Sequence, residues 1–118
     1  MNSNEVSQRT KSFALKIIKF FQSLPKTEES KILGKQLLRS SASIAANYRA
    51  ARRSRSKQEF YAKLCIVVEE SDETLFWLEL LYDSGIADSK SIVPLKQDAE
   101  ELLYIFSASR KTVKNILH

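Results

Sequence analysis

Residues 37–81 read LLRSSASIAANYRAARRSRSKQEFYAKLCIVVEESDETLFWLELL, and their spacing decides the fold. In the first half, Leu37, Ser40, Ser41, Ile44, Tyr48 and Ala51 fall on one helical stripe, with the small residues Ala42, Ala45, Ala46 and Ala50 beside it. In the second half, Phe60, Leu64, Val67, Val68, Ser71, Leu75, Leu78 and Leu81 recur at steps of three and four. This is the period of an amphipathic helix, not of a strand. Between the two stripes, Arg49, Arg52, Arg53, Arg55 and Lys57 place five cations within nine residues at a helix–helix corner.

The flanking sequence keeps the same period. Val6, Thr10, Phe13, Ile17, Phe20 and Leu24 predict a first helix over about residues 3–23, widened on one side by Ala14, Ile18 and Phe21 and stopped by Pro25. Thr27 is a suitable N-cap for a second helix over about 28–53, and Glu28 and Glu29 suit the positive end of its dipole. Gly34 inside that helix loses about 1 kcal/mol relative to alanine, so its presence predicts close approach of a neighbouring helix. Asn47 lies beside the stripe, either paired in the interior or facing solvent. Ser56 and Glu59 form a capping-box pattern that starts a third helix over about 57–84, and Gly85 suits the position just past its end. Leu95, Ala99, Leu102, Phe106, Ser109, Val113 and Ile116 define a fourth helix over about 91–117, beginning between Asp88 and Pro94, where proline is tolerated in a first turn.

Composition agrees with this pattern. The chain has 118 residues, 43% hydrophobic and 28% charged, with only two glycines and two prolines. A β-rich chain of this length would need many more turn residues. The expectation is a single all-α domain, residues 1–118, built as an antiparallel up-down-up-down four-helix bundle. The polar start and the lack of a long apolar run predict a soluble, cytoplasmic protein with no membrane partner.

The third helix is apolar around more of its circumference than a bundle helix needs, because Ile66, Phe76, Trp77 and Leu80 lie outside its main stripe. The expectation is that these four form an oligomer interface, the alternative being that helix four or a loop covers them. Charge is also segregated. Net charge is +5. Arg9, Lys11, Lys16, Lys19, Lys31, Lys35 and Arg39 load the first two helices with positive charge, while Glu59, Glu69, Glu70, Asp72, Glu73, Glu79 and Asp83 load the third with negative charge.

Catalytic chemistry finds no carrier. Di-iron bundles need Glu on two helices and Glu-x-x-His on the other two, but the single histidine is His118, the last residue. Two glycines cannot build a phosphate loop, and Cys65, alone in a helical run, has no disulfide or zinc partner and reads as a small buried hydrophobe. Ser40, Ser41 and Ser43 lack a nearby histidine and read as packing residues. The expectation is therefore no enzyme, no catalytic residue, no metal and no cofactor. The basic corner supports two roles equally: contact with nucleic-acid phosphates by Arg49, Arg52, Arg53, Arg55 and Lys57, with Arg39 and Lys35 (and Lys31) secondary, or pairing with the acidic third helix of a neighbouring subunit.

Several segments carry a resemblance. Gln36–Arg39, then Ser43-Ile44-Ala45-Ala46-Asn47-Tyr48-Arg49-Ala50-Ala51, then Arg55-Ser56-Lys57 with Glu59-Phe60, Lys63-Leu64, Glu69–Thr74 and Phe76–Leu81 resemble the bacterial four-helix-bundle proteins of the 23S rRNA-intervening sequence protein family. Many members carry a Glu-Gly pair after the Asn segment; Ala50-Ala51 stands there instead, as in a subgroup with Asn-Tyr-Arg-Ala. The resemblance implies a closed four-helix bundle assembling into a ring, with the homopentamer the best-known state, and no enzymatic activity. A more distant similarity, to the accessory variability determinant of diversity-generating retroelements, implies a basic pentamer working with nucleic acid. Together these tip the expectation toward an oligomer that binds nucleic acid, RNA in particular, with a scaffold for protein partners as the alternative.

Overall fold

A computed structural model describes residues 1–117; His118, the only histidine, lies outside the described residues. Four helices follow in order: α1 (Ser3–Ser23), α2 (Glu28–Arg52), α3 (Lys57–Asp83) and α4 (Ser89–Leu117). There is no strand among the described residues. The fold is all-α, elongated at 47 × 22 × 20 Å, and fits a bundle.

The ends of the helices follow from local chemistry. The Asn2 side chain accepts from the Glu5 amide at 2.9 Å to open α1, and Leu24 followed by Pro25 closes it. Thr27 Oγ1 accepts from Ser30 N at 3.3 Å to open α2, and Ser56 Oγ accepts from Glu59 N at 3.0 Å to open α3. Gly85 takes φ +79°, a left-handed conformation that closes α3 without the steric penalty a side chain would bring.

One expectation shifts. Asp88 accepts from the Ser91 amide at 2.9 Å and so starts α4 at Ser89, upstream of the expected window's middle. Ile92, fully buried, anchors this extra turn. Pro94 consequently sits in the second turn, where its missing N–H leaves the Lys90 carbonyl without its helical donor.

The stripes read from the sequence form the core. Val6, Thr10, Phe13, Ile17, Phe20 and Leu24 of α1 are all buried, as are Leu37, Ser40, Ser41, Ile44, Tyr48 and Ala51 of α2. In α3, Leu64, Val67, Val68, Ser71, Leu78 and Leu81 are buried, while Phe60 and Leu75 pack against the core from its edge. The Thr74 hydroxyl reaches both Ser40 Oγ and the Glu70 carbonyl at 2.8 Å, so a buried polar contact joins α2 to α3. Gly34 faces the Phe21 ring of α1 at close range, and a methyl built on it would lie 2.7 Å from that ring. Asn47 donates to Ser43 within its own helix and does not pair across helices. Toward the end of α4 the seam leaves the core: Val113 is half-buried and Ile116 exposed. The polar links from α1 to α4 stop at Glu101, so the last turns of α4 have no α1 residue bonded to them among the described residues.

Candidate functional site

Arg49 and Arg52 lie in the last turn of α2, Arg53 caps it, Arg55 stands in the connection, and Lys57 is the first residue of α3. All five are exposed. Two backbone hydrogen bonds, Arg53 N to Ala50 O at 3.1 Å and Ser54 N to Ala51 O at 3.0 Å, turn the chain before Ser56 restarts it. Cations at the C-terminal end of α2 offset the negative end of its dipole, and the following helix directs its positive end at the same corner.

The structure divides what the sequence presents as one cluster. Arg52, Arg55 and Lys57 line an open hollow of about 600 Å³ at the corner, floored by Tyr48 and Phe60. Tyr48 is itself held from below by Phe106, ring centres 5.2 Å apart. Burial raises the pKa of its phenol, opposed by Arg52, so Tyr48 remains a neutral floor. Ser54 Oγ is enclosed here without a hydrogen-bond partner among the described residues. Arg49, Arg52 and Arg53 also line a second space, a groove of about 720 Å³ between α1 and α2 floored by Ala14, Ala42, Ala45 and Ala46. Arg52 belongs to both, and its guanidinium donates to Ser7 Oγ of α1 at 2.9 Å.

The secondary cations separate as well. Lys31 and Lys35 are exposed, with no ion pair among the described residues. Arg39 is committed: Nη1 lies 3.1 Å from Glu70 Oε2, and Nη2 pairs with Glu73. Burial works against the Arg39 charge, but the attraction of Glu70 and the bonds to Glu73 outweigh it and raise its pKa. Arg39 thus joins α2 to α3. Arg9 is used the same way, donating to Glu101 at 2.6 Å, and this bond lowers the Glu101 pKa. Sequence reasoning missed Lys11, which joins the rim of the α1–α2 groove; its spacing with Ala14 and Leu15 is the signal that could have found it.

On α3, which packs along both α2 and α4, the apolar surplus is divided between the chain's interior and solvent. Trp77 is half-buried against the core and donates to Glu73 at 3.2 Å; Leu80 is also half-buried. Ile66 and Phe76 stay out, 37% and 50% exposed. Phe76 stands edge-on to Trp77 at 5.2 Å and shares a shallow hollow with Glu69, Asp72, Glu73 and Glu79. No group of three His, Cys, Asp or Glu residues among those described could hold a metal ion. Cys65 is free and half-buried rather than fully buried. No helix of the described residues is long and apolar enough to cross a membrane.

A family model described as 23S rRNA-intervening sequence protein matches residues 2–108. Among solved structures, a protein of unknown function from the S23 ribosomal protein family of Bacteroides thetaiotaomicron superposes with a TM-score of 0.86 at 31% identity, covering 94% of this chain and 99% of that one. No curated protein matches the chain.

Proposed function

The chain belongs to the 23S rRNA-intervening sequence protein family, and from that premise we propose that it is a non-enzymatic, oligomeric, antiparallel four-helix bundle that binds RNA through phosphate contacts at the α2–α3 corner. The observation that carries the RNA assignment is the open, cation-lined corner hollow, where Arg52, Arg55 and Lys57 stand without a carboxylate partner among the described residues. Arginine forks suit phosphate oxygens, and an open hollow with cations on its walls takes a backbone without reading its bases. Arg49, Arg53 and Lys35 extend the positive surface; Arg39, spent on Glu70 and Glu73, does not. The antiparallel up-down-up-down order, in one domain, draws support from cross-helix pairs that run in opposite numerical directions: Ser7 with Arg52 and Phe21 with Gly34 between α1 and α2, and Arg9 with Glu101 and Lys16 with Asp98 between α1 and α4.

Binding of a fluorescent structured RNA across a salt series tests this assignment. Three phosphate contacts weaken affinity roughly 20- to 40-fold between about 50 and 200 mM salt. Replacing Arg52, Arg55 and Lys57 by alanine together, in a protein that keeps its native mass, flattens that dependence. Salt-indifferent binding, or none at low salt, refutes the RNA assignment.

A scaffold for protein partners is the second reading, and the exposed Phe76 among acidic residues on α3 favours it.

A further inference from the structure

We propose that the groove between α1 and α2 is the seat for the acidic, aromatic edge of α3 from a second copy of this chain, giving a head-to-tail contact between subunits. This deepens the scaffold reading and rests on it, and it does not require RNA contact at the corner.

The two surfaces complement each other in charge, shape and length. The groove has a floor of small apolar side chains, Ala14, Ala42, Ala45 and Ala46, with exposed Leu15 beside them and cations Lys11, Arg49 and Arg53 on its rim. A floor of alanines lets a bulky ring approach the backbones closely. The α3 edge presents one such ring, Phe76, half in solvent, in a row with Glu69, Asp72 and Glu79. None of those three carboxylates has an ion-pair partner among the described residues. Glu69 to Glu79 spans about 15 Å of helix, and Ala42 to Arg53 about 16 Å. Along each surface the order also matches. Glu69 and Phe76 are separated by about 10 Å, as are Arg49 and Ala42, so carboxylates meet the arginine end when the ring sits on the alanine end.

The occupant is a second molecule because the α1 and α3 backbones make no close approach within one chain, so the α3 edge does not lie on its own groove. RNA is disfavoured on the α3 edge by its carboxylates. Since the two patches differ, each added copy leaves one groove and one edge unused, so assembly proceeds past a dimer, to a ring where the rotation closes and to an open filament where it does not.

The test uses two exposed-surface variants of the full chain, with circular dichroism confirming their helicity and light scattering giving their mass. The groove variant is Arg49→Glu/Arg53→Glu; the edge variant is Glu69→Lys/Asp72→Lys. Wild type is expected as an oligomer at micromolar concentration, and each variant alone as a 13.5 kDa monomer. An equimolar mixture is expected to regain a mass beyond the heterodimer, because native groove meets native edge at one contact and reversed groove meets reversed edge at the next. Combining both sets of substitutions in one chain restores assembly. A monomeric wild type, an oligomer whose mass neither variant changes, dissociation in only one variant, or a mixture that stays monomeric overturns the pairing. An Arg55→Ala/Lys57→Ala variant, whose side chains lie outside the groove, keeps the native mass; its RNA affinity therefore reports the corner alone.

Discussion

Gly34→Ala sets two effects of opposite sign against each other. Alanine gains about 1 kcal/mol of intrinsic helix propensity over glycine in a helix interior. The added methyl, however, lies 2.7 and 2.8 Å from Cδ1 and Cε1 of Phe21 and 3.1 Å from Leu24 Cδ1. Leu24 is buried and its backbone follows directly on α1, so relief requires the Phe21 ring to swing outward or α1 to withdraw from α2. Overpacking of this kind costs roughly 1–3 kcal/mol. The expected net result is a loss of up to about 2 kcal/mol, or a Tm lower by up to about 8 °C for a chain of this size. Urea denaturation checks it, with an unchanged m-value required so that the midpoint shift reports native-state stability. Phe21→Ala separates the causes: the ring's removal should be far less damaging in the Gly34→Ala background than in wild type, a coupling of about 1–3 kcal/mol. A Gly34→Ala protein more stable than wild type by about 1 kcal/mol refutes the close approach, since propensity alone would then be at work.

Pro94→Ala restores a backbone donor to the Lys90 carbonyl in the second turn of α4 and is expected to raise stability by about 1–2 kcal/mol, less than a mid-helix proline because the flexible unfolded chain offsets part of the gain. An unchanged or lower denaturation midpoint would show that the turn has adapted to the proline. Asp88 accepts hydrogen bonds first from the Ser91 backbone and then from its side chain, which together hold its pKa below 3.8. A depressed folded-state pKa contributes stability above the unfolded value and loses it as pH falls through the folded one. Asp88→Asn keeps the capping acceptor but cannot titrate, so the Tm gap between wild type and variant should shrink as pH drops from about 6 to about 2; a constant gap counts against the cap's charge.

The interior of this fold is legible in the sequence because each seam repeats within its own helix. The α1 seam and the α2 stripe are buried without exception. Legibility fails where burial depends on a neighbour's position. Thr74 lies off the expected α3 stripe yet is fully buried, because Ser40 approaches it from α2. Ile116 continues the α4 period yet is exposed, since periodicity carries no information about where the companion helices end. The candidate site shows the same division. The sequence groups five cations by proximity in the chain and adds Arg39 as a secondary contact, but only the register between α2 and α3 reveals that Arg39 is neutralised by Glu70 and Glu73. Of the four apolar residues set outside the α3 stripe, packing against the core takes Trp77 and leaves Phe76 in solvent, a distinction that helix-wheel reasoning cannot draw.

Arg52 lines both the corner hollow and the α1–α2 groove, so the two proposed occupants, an anion in one and a second subunit in the other, would be thermodynamically linked. One guanidinium cannot serve a phosphate and a neighbour's carboxylate in full at once, nor can it be reoriented by one ligand without changing what the other meets. Whatever factor an anion in the hollow applies to subunit association, association must apply to the anion's affinity in return. If the guanidinium is competed for, dilution strengthens anion binding by freeing it; if it is shared, dilution weakens it. Under the proposed RNA contact and subunit pairing, protein concentration would become a control variable for nucleic-acid affinity, with a single side chain setting its sign.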